Sequence, residues 1–161
     1  MRIHHTELEV VPGSVLEQDV EAIVNAANTA MRGGGGVDGA IHRAAGSGLL
    51  EELKRVAPNG APTGTAVLTS GHNLKQRYII HTPGPVWRGG THGEPELLAA
   101  CYRSCMELAH QHNLESLAFC SISTGVYGYP LEQAAPIALK TVCGFLESHP
   151  DTSLRRVVFA M

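Results

Sequence analysis

Short apolar segments alternate along the chain with longer amphipathic segments. Six of the short segments are rich in β-branched residues and predict β-strands. They span residues 8–11, 22–24, 65–69, 78–81, 117–120 and 157–159. Short, continuously apolar runs of this kind are expected of strands that are buried on both faces of a sheet.

Four longer segments have the apolar periodicity of helices. They cover residues 37–45, 49–56, 94–112 and 131–146. Gly46 is predicted to end the first helix, the pair Ala57-Pro58 ends the second, and Pro130 precedes the last. The third and fourth each carry one apolar stripe, which predicts that each covers one face of a sheet.

The alternation of strands and helices predicts an α/β fold, a three-layer α/β/α sandwich around a largely parallel or mixed sheet. With 161 residues, of which 43% are hydrophobic, the chain has enough apolar material for one compact domain. A single domain over residues 1–161 is therefore expected. The protein is also expected to be a monomer.

Composition narrows the classes of function. Charged residues make up 17% of the chain and the net charge is -3, so nucleic-acid binding is unlikely and any anion must be held locally. The first 11 residues do not resemble a signal peptide and no apolar run approaches a membrane span, which predicts a cytoplasmic protein without membrane contact. No C-x-x-C or H-E-x-x-H motif occurs, so neither a metal nor a cofactor is expected.

Two polar, glycine-rich loops follow predicted strands, where open α/β sheets bind their ligands. Both lead into a predicted helix. The first contains Asn25, Asn28, Gly33, Gly34, Gly35, Gly36, Val37 and Asp38. The second contains Ser121, Ser123, Thr124, Gly125, Val126 and Tyr127.

Glycines allow a ligand to approach the backbone closely, and successive N–H groups before a helix form a cradle for an anion. Two such cradles at neighbouring strand ends would suit a diphosphate. The alternative interpretation is that the glycines only make tight turns. A formal G-x-G-x-x-G run at Gly34, Gly36 and Gly39 is interpreted as accidental, because eight residues separate Val24 from Gly33.

Several side chains in these loops are candidates for chemistry. Asp38 lies beside the glycines, with Asn28 as a neutral hydrogen-bonding partner, although a carboxylate at a helix start also stabilises the helix dipole. Asn25 is expected to tie the loop to neighbouring backbone. Tyr127 suits stacking on a ribose or base, and His42, one turn after Asp38, is expected to pair with it.

Three motifs in this order resemble macrodomains of the MacroD type. They are Val24-Asn25-Ala26-Ala27-Asn28, the run GGGGVDGAIH over residues 33–42, and the run STGVYGYP over residues 123–130. Residues 62–66 and 78–87 also resemble segments of that family. The similarity covers nearly the whole chain.

The resemblance implies a six-stranded mixed sheet and an ADP-ribose cleft at the strand ends. It also implies two activities, hydrolysis of mono-ADP-ribose esters on Asp or Glu side chains of proteins and deacetylation of O-acetyl-ADP-ribose. Asn28 and Asp38 match the catalytic pair of the family, and Asn25 matches the structural first Asn. Residues 33–37 match the contacts to the distal ribose and phosphate, and residues 123–127 match the diphosphate loop.

Two positions depart from the family pattern. Many members carry Gly-Asp-Ile near the first strand, with the Asp binding the adenine amino group, whereas this chain has Gly13-Ser14-Val15. Adenine contacts are therefore expected from Ser14 and from the backbone N–H of Val15. The chain also stops at Met161, where relatives usually continue into another helix, so an uncovered apolar face is expected there.

Three functions compete at this point. Metal-independent hydrolysis would use Asn28 and Asp38 to orient the distal ribose and a water molecule, with Asp38 or a ligand phosphate accepting the proton. A non-catalytic reader of ADP-ribosylated proteins would need the cradle but not this pair. Binding of adenine-rich RNA is disfavoured by the acidic balance and by the presence of only three Phe and one Trp.

Overall fold

A seven-stranded mixed sheet forms the middle layer of the molecule. The computed structural model describes residues 1–161. The strands are β1 (Arg2–Ile3), β2 (Thr6–Val11), β3 (Ala22–Ala27), β4 (Val67–Ser70), β5 (Tyr78–Pro83), β6 (Ser116–Phe119) and β7 (Arg156–Ala160). Their order across the sheet is β1-β2-β7-β6-β3-β5-β4, and the pairs β1·β2 and β4·β5 are antiparallel whereas the other pairs are parallel.

Four α-helices cover the sheet. They are α1 (Gly36–Ala45), α2 (Ser47–Val56), α3 (Glu94–Gln111) and α4 (Leu131–Ser148). Helix α1 packs against α2 and β3, while α3 packs against α4 and β5. The predicted α/β/α sandwich is confirmed, and Gly46 ends α1 as expected, with its N–H donating to the carbonyl of His42.

The expected count of six strands is wrong by one, because the edge strand β1 was missed. This strand pairs with β2 at only two positions, Arg2 with Glu7 and Ile3 with Thr6. A two-residue strand has too few side chains to show any alternation. The predicted strand 65–69 also begins too early, because Thr65 lies in a turn where its N–H and its hydroxyl both donate to the carbonyl of Pro62.

The interior is apolar and contains the cysteines. Cys101, Cys105 and Cys120 are buried and Cys143 is half-buried, all as free thiols. Burial raises the pKa of Cys120 to about 12, and it also raises the pKa of Cys105. No cluster of three or more His, Cys, Asp or Glu side chains is arranged to hold a metal ion. No helix combines the length and apolar content needed to cross a bilayer.

The sheet also decides where a ligand site can form. Strands β3, β5, β6 and β7 run parallel, so their carboxyl ends meet at one edge of the sheet. The loop that begins at Asn28 leaves β3 at this edge, and the loop that begins at Cys120 leaves β6 beside it. Both glycine-rich loops are therefore brought together by the strand order.

Candidate ligand-binding site

A cavity of about 750 Å³ opens at this edge of the sheet, between the two loops. Its volume falls in the range of pockets that bind small molecules and cofactors. Thirteen of the predicted site residues line it, namely Ser14, Val15, Asn28, Gly34, Gly35, Gly36, Val37, Asp38, Ser123, Thr124, Gly125, Val126 and Tyr127. The structure thus brings together three segments that are far apart in sequence.

Two residues expected among the ligand contacts lie outside the cavity lining. Asn25 is fully buried behind it, because its position in β3 points the side chain into the interior. Gly33 is also not among the lining residues, and its carbonyl accepts the side-chain N–H of Asn28 at 3.1 Å. Asn25 also donates to side chains, not to the neighbouring backbone as its turn-like sequence context suggested.

The first loop presents the start of α1 to the cavity. Gly35 is the N-cap residue, and Gly36 adopts a φ of 58°, a left-handed conformation that favours glycine. The first N–H groups of a helix have no partner within the helix, so those at the start of α1 are available to an anion. Gly39 also keeps the loop close to the helix, because a β-carbon there would lie 2.6 Å from the carbonyl oxygen of Gly34.

Asn28 and Asp38 approach the same point beside Gly34. A β-carbon built on Gly34 would lie 3.3 Å from Oδ2 of Asp38 and 3.4 Å from Nδ2 of Asn28. The Asn28 side chain is held by the loop backbone, since Oδ1 accepts the N–H of Met31 at 3.1 Å and Nδ2 donates to Gly33. An amide N–H and a carboxylate oxygen are thus available together at the cavity wall.

The Asp38 carboxylate is nearly buried and is held from behind. Only 5% of the residue is exposed. Its Oδ1 accepts a hydrogen bond from Nδ2 of Asn25 at 2.8 Å, and Nε2 of His42 lies 3.4 Å from the same oxygen. The predicted pairing of His42 with Asp38 is confirmed. Because both neighbours contact Oδ1, Oδ2 is the oxygen left beside Asn28 and the cavity.

The second loop offers a row of free backbone donors. No N–H group from Ser123 to Tyr127 donates to a backbone carbonyl of the protein. Ser123 has a φ of 68°, and its Oγ is buried without a hydrogen-bond partner. Gly84 lies against this hydroxyl, where any side chain would collide with it. The loop geometry therefore fits the predicted anion cradle.

Ser14 and Val15 form the third wall of the cavity. Ser14 caps a short 3-10 helix (Val15–Glu17), accepting the N–H of Leu16 on its hydroxyl at 3.1 Å. Its own N–H donates to Glu17, which completes a capping box. The Ser14 side chain therefore has a structural partner besides any ligand, a role that the sequence comparison with Gly-Asp-Ile did not suggest.

The cavity contains no cationic side chain. Among the residues that line it, Asp38 is the only one with an ionisable acidic or basic side chain of the Asp, Glu, Lys or Arg type. Arg32, the one cation near the first loop in sequence, instead donates to carbonyl oxygens at the end of α2, including those of Ala57 and Pro58. An anion in this cavity would be held by backbone dipoles.

Trp87 supports the second loop from outside the cavity, a role that was not predicted from the sequence. Its backbone N–H donates to the carbonyl of Tyr127 at 2.9 Å, and its ring lies 4.6 Å from that of Tyr129. Gly90 allows this packing, since a β-carbon there would lie 2.7 Å from the indole. The single tryptophan in the chain was the available signal, because a large aromatic in a glycine-rich loop requires a packing partner.

Glu94 organises the segment that carries Trp87. The carboxylate accepts three backbone N–H groups, those of Arg88, Gly90 and His92, at 2.6 to 2.9 Å. Burial by itself would raise the pKa of Glu94. The hydrogen bonds from backbone N–H groups outweigh this effect and lower the pKa to about 2. The ionised carboxylate thus fixes the loop that carries Trp87, whose backbone N–H donates to Tyr127.

Known proteins share the sequence and the fold of this chain. A model of the Macro domain family matches residues 24–138, which is more than half of the chain and includes both loops. The chain belongs to the Macro domain family. This macrodomain is 52% identical over 143 residues to the O-acetyl-ADP-ribose deacetylase of Salmonella gallinarum, an alignment that covers 88% of this chain and 80% of the relative.

Solved macrodomain structures superpose on the whole chain. The Oceanobacillus iheyensis macrodomain with ADP has a TM-score of 0.90 and 46% identity, covering 100% of this chain and 87% of that one. The Trypanosoma brucei macrodomain in complex with ADP-ribose has a TM-score of 0.85 and 48% identity, covering 97% of this chain and 63% of that one. The fold predicted from the alternation of strands and helices is thus a macrodomain fold.

Proposed function

We propose that this macrodomain binds ADP-ribose in the cavity and hydrolyses ADP-ribose esters, removing mono-ADP-ribose from Asp or Glu side chains of proteins and acetyl groups from O-acetyl-ADP-ribose. The observation that carries the proposal is the convergence of Asn28 Nδ2 and Asp38 Oδ2 beside Gly34, next to two cradles of backbone donors. A protein that only binds the ligand needs the cradles but not this pair.

The cavity offers groups that suit each part of ADP-ribose. The free N–H groups from Ser123 to Tyr127 and the start of α1 suit the two phosphates. Ser14 and Val15 lie at the other wall, where the adenine would contact a hydroxyl and a backbone N–H. The distal ribose would then reach Asn28 and Asp38. The relatives named above support this assignment, since one was solved with ADP and another with ADP-ribose.

Both proposed reactions are the same chemical step. Each substrate is an ester between a carboxylic acid and a hydroxyl of the ribose, and addition of one water molecule gives the free acid and the free hydroxyl. Asn28 and Asp38 orient the ribose and the water, and Asp38 or a ligand phosphate accepts the proton that the water loses. An ordinary carboxylate is a weak base, so positioning must supply much of the rate.

The test combines binding and turnover in one preparation. The protein is incubated with a peptide mono-ADP-ribosylated on a Glu side chain, and release of free ADP-ribose is followed by chromatography. Binding of ADP-ribose, ADP and a short oligoadenylate is measured by calorimetry in parallel. We expect release of ADP-ribose and selective binding of ADP-ribose. Binding without release would leave a reader of ADP-ribosylated proteins as the function, and preferential binding of oligoadenylate would overturn the assignment.

A further inference from the structure

A chain of buried side chains connects Asp38 to the far edge of the sheet. It runs from Thr69 in β4 through His81 in β5 and Asn25 in β3 to Asp38 at the start of α1. Asn25 and His81 are register partners in the parallel pair β3·β5, and both are fully buried. A fully buried histidine without any contact to the cavity calls for an explanation.

The directions of the hydrogen bonds follow from the groups themselves. The Thr69 hydroxyl donates to the carbonyl of Ser70 at 3.1 Å, so it accepts from Nε2 of His81, which lies 2.9 Å away. The proton of the neutral imidazole is therefore on Nε2, and the lone pair on Nδ1 faces Nδ2 of Asn25 at 3.0 Å. Burial, with a smaller contribution from His42, lowers the pKa of His81 to about 3.

The Asn25 amide uses both of its N–H groups in this chain. One donates to Nδ1 of His81 and the other to Oδ1 of Asp38 at 2.8 Å, while its own Oδ1 is buried without a partner. An unpaired buried carbonyl is unfavourable. The amide nevertheless keeps this orientation because both of its N–H groups have acceptors, His81 and Asp38. The opposite orientation would place the amide oxygen against the Asp38 carboxylate.

We infer that His81 is a positioning residue, which fixes the orientation of the Asn25 amide and through it the direction of the Asp38 carboxylate. Its contribution to turnover rests on the hydrolytic function proposed above, whereas its effect on Asn25 and Asp38 does not. With a proton on Nδ1 in place of Nε2, His81 would face the Asn25 N–H with a second donor. The Asn25 amide would then face either the Nδ1 proton of His81 with an N–H group or the Asp38 carboxylate with its oxygen, and either arrangement would weaken the hydrogen bond that leaves Oδ2 of Asp38 directed to the cavity.

Thr69 offers a matched pair of substitutions, because it selects the position of the imidazole proton without touching the cavity. Thr69→Val keeps the shape of the side chain but removes the acceptor for the Nε2 proton. Thr69→Ser keeps this acceptor but removes a buried methyl group, so both variants are expected to lower the free energy of unfolding. Comparison of kcat with the melting temperature in the two variants separates positioning from stability.

The readouts are the nitrogen-15 shifts of the His81 ring, the side-chain amide resonances of Asn25 and the carboxyl carbon-13 shift of Asp38. We expect all three to change in Thr69→Val and to stay close to those of the wild type in Thr69→Ser. The value of kcat for ester hydrolysis should fall about tenfold or more in Thr69→Val, with KM within about twofold, and should stay within about threefold in Thr69→Ser.

The inference would be overturned if kcat fell equally in the two variants and followed their melting temperatures. His81 would then be a packing residue. Unchanged ring, amide and carboxyl resonances in Thr69→Val would also overturn it. A wild-type protein without turnover would refute the proposed hydrolysis, and the resonances would then decide the positioning role by themselves. The two failures are therefore distinguishable.

Discussion

Gly34 stands against the Asp38 carboxylate, with its Cα placed so that a β-carbon would lie 3.3 Å from Oδ2. The same β-carbon would lie 3.4 Å from Nδ2 of Asn28. The absence of a side chain at this position keeps open the space in which the two polar groups face a ligand. A glycine at position 34 leaves space for a ligand. Its conformational freedom is not required, because its φ lies outside the left-handed region.

We expect Gly34→Ala to lower turnover by about tenfold or more, because the added methyl group would displace a water or ribose held by Asn28 and Asp38. The melting temperature should change little, since Ala is compatible with the backbone. Gly144→Ala in α4 is the matched control, because a β-carbon there meets no neighbour within 4 Å. Equal rates for the two variants would show that the chemistry occurs elsewhere.

Substitutions of Asp38 and Asn28 should lower turnover much more than they weaken binding. Asp38→Ala should retain ADP-ribose binding within about tenfold, or 1.4 kcal/mol, and lose about a hundredfold or more in rate. Asn28→Ala should act in the same direction, although the loss of its bonds to Met31 and Gly33 also loosens the loop. The double variant should lose much less than the product of the two losses, because residues that position one water act as a unit.

A role for Asp38 that is limited to stabilising the dipole of α1 gives a different result. The free energy of unfolding would then fall by about 0.3–1 kcal/mol, and the rate would fall only with the folded fraction. Urea unfolding of Asp38→Ala beside its kinetics distinguishes the two roles.

Ser14→Asp should tighten ADP-ribose binding by about 1 kcal/mol, roughly fivefold, because a carboxylate accepts a charge-assisted hydrogen bond from the adenine amino group. Asp is also a good N-cap residue, so the cap on the N–H of Leu16 is retained. Ser14→Asn preserves the cap without the charge and serves as the control. Unchanged or weaker binding by calorimetry, with the fold intact, would place the adenine elsewhere.

His81 should make the protein less stable in mild acid. Burial and the nearby His42 lower the pKa of His81 to about 3, whereas a histidine in the unfolded chain titrates near 6.5. Between these values the unfolded state binds more protons, so the free energy of unfolding falls as the pH falls. The contribution is complete above about pH 6.5, and about 2 kcal/mol of it is lost by pH 5.

Urea unfolding of the wild type and of His81→Asn at pH 7 and pH 5 measures this contribution. The variant carries no imidazole, so its stability should decline less between the two pH values. Parallel declines in the two proteins would show that another group controls the acid sensitivity.

The interior strands and both loops can be located from the sequence because their signals are local. Apolar runs identify buried strands, and the glycines mark where the backbone approaches a ligand. Contacts between distant segments had no such signal. Nothing in the sequence indicates that Asn25 would bond to His81, 56 residues away, or that Arg32 would turn from the first loop to the end of α2.

The absence of cationic side chains from the cavity has a consequence for selectivity. Attraction between full charges weakens as the ionic strength rises, whereas short-range bonds to backbone N–H groups are screened much less. A nucleoside triphosphate carries more negative charge than a diphosphate, but the cavity has no cationic side chain to balance the additional charge. If the proposed function holds, the macrodomain is therefore expected to select an anion by shape and by the number of N–H groups it satisfies, with an affinity that depends little on salt concentration and is not increased by the additional charge of a triphosphate.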